Sequence, residues 1–346
     1  MPFLLRLLAF PVLALAAACA NLPTRALSQD DKALEVRAIS VPFSLEDTRL
    51  QRAGRLIWRG GISLTANSSH FGGWSDLYVA PDGKSLVSIA DVGAWMTAAI
   101  DYDAKGDLRG LSAARIGRLK NLAGKPLASK GEADSESMAH LPDGSWLVGF
   151  ERHHRILHYP AGDESAGAGF AGTPVAVEGP ADLAKQPFNG GLEAMNAGPD
   201  GRLVLLSEEY SVLPGTSVGW IGTPVVANRW SWASFNYART PELSPSSITR
   251  LPDGSYAVIE RGFDFLHGFR CRIMRFDAAQ LIPGATVQAQ ELGHLASPYA
   301  VDNLEGIAAT MGARGETLLW LISDNNFEPV QRTLLLLFEL APEKAP

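Results

Sequence analysis

Cysteine is scarce in this sequence, and so is charge. Two cysteines in 346 residues cannot form the framework of a disulfide-stapled scaffold. Only 19% of the residues are charged and 34 are glycine, which excludes a coiled coil, because such a protein is rich in charge and poor in glycine. Basic residues are outnumbered, 30 against 37 acidic residues, so the net charge of −7 argues against nucleic acid as a partner.

Long apolar runs are missing beyond the first twenty residues, which excludes a membrane protein with several spanning helices. The hydrophobic fraction is nevertheless 46%. That fraction is enough to build a sizeable core, and it excludes a disordered chain. The sequence therefore predicts a globular body behind a short apolar leader.

The leader, residues 1–20, has the pattern of a secretory signal peptide. It contains one early cation, Arg6, followed by an apolar stretch that ends at Ala18 and by small residues, as such signals do. The segment Leu15–Cys19 resembles a bacterial lipoprotein box, in which Cys19 becomes the acylated N-terminus. Cleavage at an Ala-x-Ala site is the alternative. Both interpretations predict export to the periplasm, with the protein held at the outer membrane only through a lipid anchor at Cys19.

Five segments of the body repeat one pattern, in which a short apolar strand, a turn and a second apolar strand precede an acid. Four of them turn through Pro-Asp-Gly, a strong hairpin signal because glycine adopts a positive φ at low cost. The fifth turns through Gly-Ala-Arg-Gly. The segments are residues 76–91, 136–151, 193–208, 247–260 and 305–324. Recurrence at a nearly constant spacing indicates a repeat architecture.

Two further strand-like runs follow each hairpin except the last, which has only one. The missing outer strand is expected from the start of the body, at Arg55–Ala66. This arrangement predicts an all-β fold over residues 55–341, a β-propeller of four-stranded blades with a terminal strand clasp. Five blades are counted. A sixth blade around Val36–Phe43 is one alternative, and a β-sandwich or barrel is another. Residues 21–54 are interpreted as a linker with one early strand.

The acids of the repeat are predicted to meet at one mouth of the central channel. In a hairpin, the start of the first strand and the end of the second lie side by side, opposite the turn. If these strands are the innermost of each blade, their acids form a ring, in which the fourth repeat has Ser247 at the first position. The predicted metal ligands are Asp76, Asp91, Glu136, Glu151, Glu193, Glu208, Glu260, Glu305 and Asp324. The aspartates of the Pro-Asp-Gly motifs are assigned to the turns themselves.

So many carboxylates cannot all stay ionised without help. Two like charges about 4 Å apart repel by roughly 4 kcal/mol at an effective dielectric constant near 20, so either cations neutralise them or some are protonated. Oxygen ligands on a wide ring favour Ca²⁺ as the cofactor over Mg²⁺. Zinc is disfavoured because its usual cysteine and histidine spacings are missing. For any single acid, a structural role as an acceptor of backbone N–H groups is the alternative.

Two arginines directly follow second-strand acids, Arg152 after Glu151 and Arg261 after Glu260. A guanidinium binds phosphate or carboxylate through two parallel hydrogen bonds, so these side chains predict a small anionic substrate. The alternative is that each arginine simply pairs with acids of the ring.

Several motifs together resemble a known family. They are Phe-Gly-Gly-Trp-Ser-Asp-Leu at 71–77, Asn-Gly-Gly-Leu-Glu at 189–193, Asn-Leu-Glu-Gly at 303–306 and Ser-Asp-Asn-Asn-Phe at 323–327. In this order they resemble the phytase-like domain described as "esterase-like activity of phytase", and the likeness extends over about residues 55–341. The resemblance implies an exported bacterial protein with a phosphoesterase-type activity. It carries over as functional acids the positions Asp76, Glu136, Glu193, Glu305 and Asp324.

The combined interpretation is a hydrolase that acts on ester bonds, with Ca²⁺-dependent hydrolysis of a phosphate ester at the acidic mouth. A metal-activated water would attack phosphorus in line, and Arg152 or Arg261 would stabilise the equatorial oxygens. Glu193 and Glu305 are the expected metal ligands or water-orienting bases. The alternatives are a non-catalytic envelope propeller that binds a partner or ligand, and a lactone hydrolase.

Overall fold

The computed structural model describes residues 31–163 and 167–343, so the predicted signal peptide and Cys19 lie outside the described residues. In chain order the first twelve strands are β1 (Asp31–Ala33), β2 (Val36–Ser40), β3 (Arg52–Ala53), β4 (Leu56–Ala66), β5 (Trp74–Val79), β6 (Ser85–Ala90), β7 (Ala94–Tyr102), β8 (Leu108–Arg118), β9 (Ser135–His140), β10 (Trp146–Phe150), β11 (Arg155–Tyr159) and β12 (Val175–Val177). The other twelve are β13 (Leu192–Ala197), β14 (Leu203–Ser207), β15 (Thr216–Val226), β16 (Arg229–Ala238), β17 (Ser244–Arg250), β18 (Tyr256–Asp264), β19 (Gly268–Phe276), β20 (Thr286–Gln288), β21 (Gln290–Leu295), β22 (Asn303–Met311), β23 (Thr317–Asp324) and β24 (Thr333–Leu340).

The described residues contain very little helix. In the part of the chain that the structure describes, the one α-helix, α1, covers Lys130–Ala133, and two 3₁₀ turns cover Leu183–Lys185 and Ala278–Gln280. Within the described residues, no helix has the length and apolar character that crossing a membrane requires.

The strands form five sheets, which are the five blades of a propeller. From the channel outward, blade 1 is β5-β6-β7-β8-β1, blade 2 is β9-β10-β11-β12, blade 3 is β13-β14-β15-β16-β20, blade 4 is β17-β18-β19-β21, and blade 5 is β22-β23-β24-β4-β2. The inner strands β5, β9, β13, β17 and β22 contact one another in this order and close into a ring. The predicted all-β propeller with five blades is confirmed.

The ends of the chain close the ring in blade 5. Strand β24 pairs antiparallel with β4, from Thr333 opposite Leu64 to Leu340 opposite Leu56, which is the predicted clasp. The preceding strands extend existing blades, because β2 lies beside β4 and β1 lies beside β8. The segment proposed for a sixth blade therefore forms the outer edge of blade 5.

The core lies between the blades. Side chains on each strand alternate between the two faces of its sheet, so every blade packs against both of its neighbours. Five apolar clusters result, one between each adjacent pair of blades. Their largest fully buried side chains include Trp74, Trp95, Trp146, Trp220 and Trp320.

The Pro-Asp-Gly turns lie at the end of the channel opposite the acids. In each turn the aspartate accepts the backbone N–H two residues later, at 2.9 to 3.1 Å, and the glycine that follows has a positive φ. The aspartates Asp82, Asp143, Asp200 and Asp253 thus have the turn role that the sequence predicted.

Candidate acidic site at the channel mouth

A β-bulge near the start of every inner strand positions the first ring of side chains. In blade 3, Leu192 pairs with Ser207 and Ala194 pairs with Leu206, so Glu193 has no residue opposite it. A bulge of this kind re-aims its side chain out of the regular alternation. The bulged residues of blades 1 to 5 are Ser75, Glu136, Glu193, Ser246 and Glu305. Three of the five blades therefore present a buried glutamate to the channel mouth.

This register corrects the predicted first ring in two blades. Asp76 and Ser247 each lie one residue beyond the bulge, and the bulge positions are taken by Ser75 and Ser246. A shift of one residue cannot be seen in the sequence, because the bulge that absorbs it leaves no mark on the apolar pattern. By register, Asp76 therefore lies one residue deeper in the channel than the three bulged glutamates.

Asp76 ties three blades together across the channel. Its Oδ2 accepts the Met138 N–H at 2.8 Å. Its Oδ1 accepts the Ser247 hydroxyl and the Leu77 N–H, both at 2.8 Å. Burial raises the pKa of Asp76 to about 8, although these hydrogen bonds act in the opposite direction. These contacts suit the structural role that was the alternative to metal binding, and Asp76 as a metal ligand stays a prediction.

The second ring is defined by the bulge. In each second strand it is the residue that follows the partner of the residue before the bulge. In blades 1 to 5 these residues are Asp91, Glu151, Glu208, Arg261 and Asp324.

Glu260 stands one position before Arg261, opposite Pro245, and is completely buried. It accepts the Thr240 N–H at 3.2 Å and lies beside Tyr237, whose pKa rises through burial and this nearby carboxyl. The structure thus places Glu260 outside the ring. Ser246 and Arg261 are the positions that correspond to Glu193 and Glu208 of blade 3, and the Glu260 carboxyl faces Thr240 and Tyr237 instead.

Sequence reasoning missed two members of the site, Asp134 and Lys130. The Lys130 ammonium on α1 lies 2.5 Å from Asp91 Oδ2 and also pairs with Asp134, which forms a second ion pair with Arg152. Asp134 stands two residues before the bulged Glu136, and this spacing was the one available signal that it shares the same surface. Asp134, Glu136 and Glu151 each offer a carboxylate oxygen, and these three oxygens lie within 4.8 Å of one another.

Arg261 organises the other side of the mouth. Its Nη2 lies 3.0 Å from Glu305 Oε1 and 3.5 Å from Glu208 Oε1. The same Glu305 oxygen accepts Asn303 Nδ2–H at 2.7 Å. Among the described residues, the buried Asn303 Oδ1 has no hydrogen-bond partner and neither has Arg261 Nε. Both predicted arginines, Arg152 and Arg261, therefore pair with acids, and the buried Nε–H of Arg261 has no acceptor among the described residues.

The site holds more negative than positive groups. Its eight carboxyl groups are Asp91, Asp134, Glu136, Glu151, Glu193, Glu208, Glu305 and Asp324, and its three cationic side chains are Lys130, Arg152 and Arg261. Burial, followed by repulsion from neighbouring carboxylates, raises the pKa of Glu136, Glu193 and Asp324 well above the usual range. Burial likewise raises the pKa of Glu151 and Glu305 to about 7.

The residues present fit a hard cation. The donors are carboxylate and amide oxygens, which Ca²⁺ prefers, and they include the unpartnered Asn303 Oδ1. The Glu193 carboxyl forms no hydrogen bond to any described residue, and the charged groups that act on it most strongly are Glu208, Glu151, Arg261 and Glu305. The surplus negative charge of the carboxylates is neutralised either by protons or by such a cation.

Comparison with known proteins gives a family and two structural likenesses. One solved structure, described as a candidate gluconolactonase, has 10% identity and a TM-score of 0.42, over 90% of this chain and 94% of that chain. Another, a protein of unknown function from Bacteroides thetaiotaomicron, has 11% identity and a TM-score of 0.43, over 88% and 76%. Comparison with curated proteins found no match. The family model "Phytase-like: Esterase-like activity of phytase" matches residues 69–327, well over half of the chain. The chain therefore belongs to this phytase-like family.

Proposed function

We propose that this protein hydrolyses a phosphate ester at the acidic mouth with the help of a divalent cation, Ca²⁺ being the best fit. The observation that carries the proposal is the mixed charge of the site. Eight carboxyl groups surround three cationic side chains at one end of the channel, so both a cation and an anionic group find partners there. Family membership supports a hydrolase of this general kind.

Glu305 and Glu193 have different contacts, which suit them to different roles. Glu305 is fixed by Asn303 and Arg261, which suits a ligand that holds a cation in place. The Glu193 carboxyl has a raised pKa and no hydrogen bond to a described residue, which suits a group that orients water and accepts its proton. A bound cation would supply the polarisation of the phosphoryl group and lower the pKa of water.

The arginines are proposed to hold the anionic group of the substrate. The Arg261 side chain is 23% exposed while its Nη2 pairs with Glu305, so its exposed part can contact a ligand without leaving Glu305. Arg152 pairs with Asp134 through Nε and is 17% exposed. Guanidinium groups placed in this way stabilise the charge that develops on equatorial oxygens.

A non-catalytic propeller is the second candidate, and one observation favours it. Arg152 and Arg261 are already neutralised by Asp134, Glu208 and Glu305. If these pairs are permanent, the mouth is a structural charge network, and the protein would instead bind a partner in the cell envelope.

Calcium calorimetry and a substrate panel separate the candidates. We expect tight Ca²⁺ binding by the purified protein, and hydrolysis of a phosphomonoester or phosphodiester that chelation abolishes. Glu193→Gln and Glu305→Gln should each reduce hydrolysis by roughly 10²-fold or more, whereas Asp200→Asn, in a turn at the opposite end, should leave it unchanged. No calcium binding and a melting curve insensitive to chelator would overturn the metal hydrolase. Turnover of a lactone alone would reassign the reaction.

The proposed location is the periplasm, at the outer membrane through Cys19. The leader of residues 1–20 supports it. Cell fractionation of the wild-type protein and a Cys19→Ser variant checks the proposal, because only the wild type should partition with membranes. Equal partition of the two would contradict a lipid anchor.

A further inference from the structure

Exposed phenylalanines lie directly beside the charged groups of the mouth. Phe188 is 65% exposed, and the Arg152 guanidinium stands 5.4 Å from the centre of its ring. Phe327 is 43% exposed. A Cβ added at Gly73 would meet both the Phe327 ring, at 2.9 Å, and Asp91 Oδ1, at 2.1 Å. One apolar side chain therefore adjoins Arg152, and another adjoins Asp91.

Blade 4 adds a hairpin tip to the same end of the channel. In the other blades the second strand ends at the second ring or one residue before it, whereas β18 continues past Arg261 to Asp264 and pairs there with β19. The tip exposes Phe265 at 97% and Leu266 at 90%. At its base, the Phe263 ring lies 5.5 Å from the Phe265 ring. We call Phe188, Phe263, Phe265, Leu266 and Phe327 the apolar rim.

The rim is continuous with the charged centre of the mouth. Blades 3, 4 and 5 supply its members, from the loop before β13, the β18–β19 hairpin and the loop after β23. Exposed apolar side chains that cluster around a polar site mark a surface for a ligand. Phe188 contacts Arg152, Phe327 adjoins Asp91, and Phe263 stands two residues after Arg261, so a molecule bound to these charges would also contact the rim.

The charge of the centre limits how many phosphate groups such a molecule carries. There are three cationic side chains, and each is paired with a carboxylate. With one bound divalent cation, the remaining surplus of carboxylates would repel phosphate groups beyond the one held by that cation and an arginine. A polyol with many phosphates would meet this repulsion and would gain nothing from the rim.

We infer that the preferred substrate is a monophosphate ester with an apolar alkyl or aryl group, which lies on the rim while its phosphate enters the charged centre. This inference rests on the proposed function, because it names the substrate class for the same site. Contact with the rim supplies affinity in proportion to the apolar area that is removed from water.

A series of n-alkyl phosphates from butyl to octyl, with inositol hexakisphosphate for comparison, tests the inference. We expect KM to fall roughly twofold or more with each added methylene, since complete burial of a methylene is worth about fourfold, while kcat stays nearly constant. The double change Phe265→Ser with Leu266→Ser should raise KM for octyl phosphate by roughly tenfold and leave butyl phosphate almost unaffected. The matched control is Val225→Ser with Val226→Ser, because these side chains are also exposed apolar groups at a hairpin tip and lie at the opposite end, where Pro224 adjoins the Gly201 turn.

Calorimetry with n-alkylphosphonates, which cannot be hydrolysed at a P–O ester bond, gives a readout that does not depend on turnover. Binding that strengthens with chain length and weakens in the rim variant would support the inference even if no ester is hydrolysed, in which case only the proposed function fails. Hydrolysis with KM independent of chain length, or a preference for inositol hexakisphosphate, would overturn the inference and leave the function standing. If no phosphonate binds and no ester is hydrolysed, both are overturned.

Discussion

The two halves of the acidic mouth have equal numbers of carboxyl groups and unequal numbers of cations. The blade 1–2 half contains Asp91, Asp134, Glu136 and Glu151 with Lys130 and Arg152. The blade 3–5 half contains Glu193, Glu208, Glu305 and Asp324 with Arg261. Both cations of the first half pair with Asp134, and Lys130 also pairs with Asp91. In the second half, Arg261 forms ion pairs with both Glu208 and Glu305.

The difference shows that proximity of carboxylates does not by itself select a cation site. Asp134, Glu136 and Glu151 form the tightest cluster of acids, but Lys130 and Arg152 already neutralise most of it. In the blade 3–5 half, more negative charge remains, and the unpartnered Asn303 Oδ1 lies there. We therefore expect a divalent cation to bind first in the blade 3–5 half.

The largest expected effect comes from removing the single cation of that half. Arg261→Met leaves Glu305 without an ion pair and Glu208 with only the charge of Arg239 nearby, and loss of one member of a buried pair costs roughly 3 kcal/mol or more. Lys130→Met should lower the free energy of unfolding by less, since it leaves only Asp91 without an ion pair while Arg152 still pairs with Asp134. Urea denaturation of the metal-free variants at neutral pH measures both. Equal losses would show that the two halves are neutralised alike.

The pH dependence of stability is the next largest effect. The pKa of Glu151 and of Glu305 is raised to about 7 by burial, so the folded protein binds these protons more tightly than the unfolded chain does. This stabilisation is complete below the unfolded pKa, near 4.3, and is lost as pH rises through about 7. The melting temperature of the metal-free protein should therefore fall by roughly 5 °C or more between about pH 5 and pH 8.5.

Calcium should reverse this trend, and it should do so through one half of the mouth. Deprotonated carboxylates bind the cation better, so the calcium-induced rise in melting temperature should be larger at pH 8.5 than at pH 5. Glu305→Gln should remove most of the rise, whereas Glu151→Gln should preserve it. Preservation by Glu305→Gln and loss by Glu151→Gln would place the cation in the blade 1–2 half instead.

The fold could be predicted from the sequence because it depends on patterns that survive small shifts. The Pro-Asp-Gly turns and the alternating apolar strands repeat at nearly constant spacing, and they determine the blades whether or not a bulge intervenes. The clasp followed from counting strands in the last repeat. The outer strands β1 and β2 were not resolved in this way, because short edge strands carry little apolar signal.

The site depends on single-residue register and was therefore predicted only in part. Glu136, Glu193 and Glu305 could be recognised because each bulge carries the same residue type. Arg261 replaces an acid at the equivalent position of blade 4, and a search for repeated acids selected the adjacent Glu260. Asp134 and Lys130 lie in a loop and a short helix outside the repeat, where no periodic pattern could reveal them.

The smallest expected effect is that of changing Glu260, the acid next to Arg261. Glu260→Gln should leave calcium affinity within roughly twofold of wild type, because its carboxyl faces Thr240 and Tyr237 and glutamine can still accept the Thr240 N–H. Glu208→Gln is the matched change inside the ring, and it should weaken calcium binding by roughly tenfold, since ligand charge strongly affects calcium affinity. Calorimetry on both variants makes the comparison. A larger loss for Glu260→Gln would mean that the fourth hairpin shifts by one residue when the cation binds, because only such a slip would bring Glu260 to the ring and turn Arg261 away.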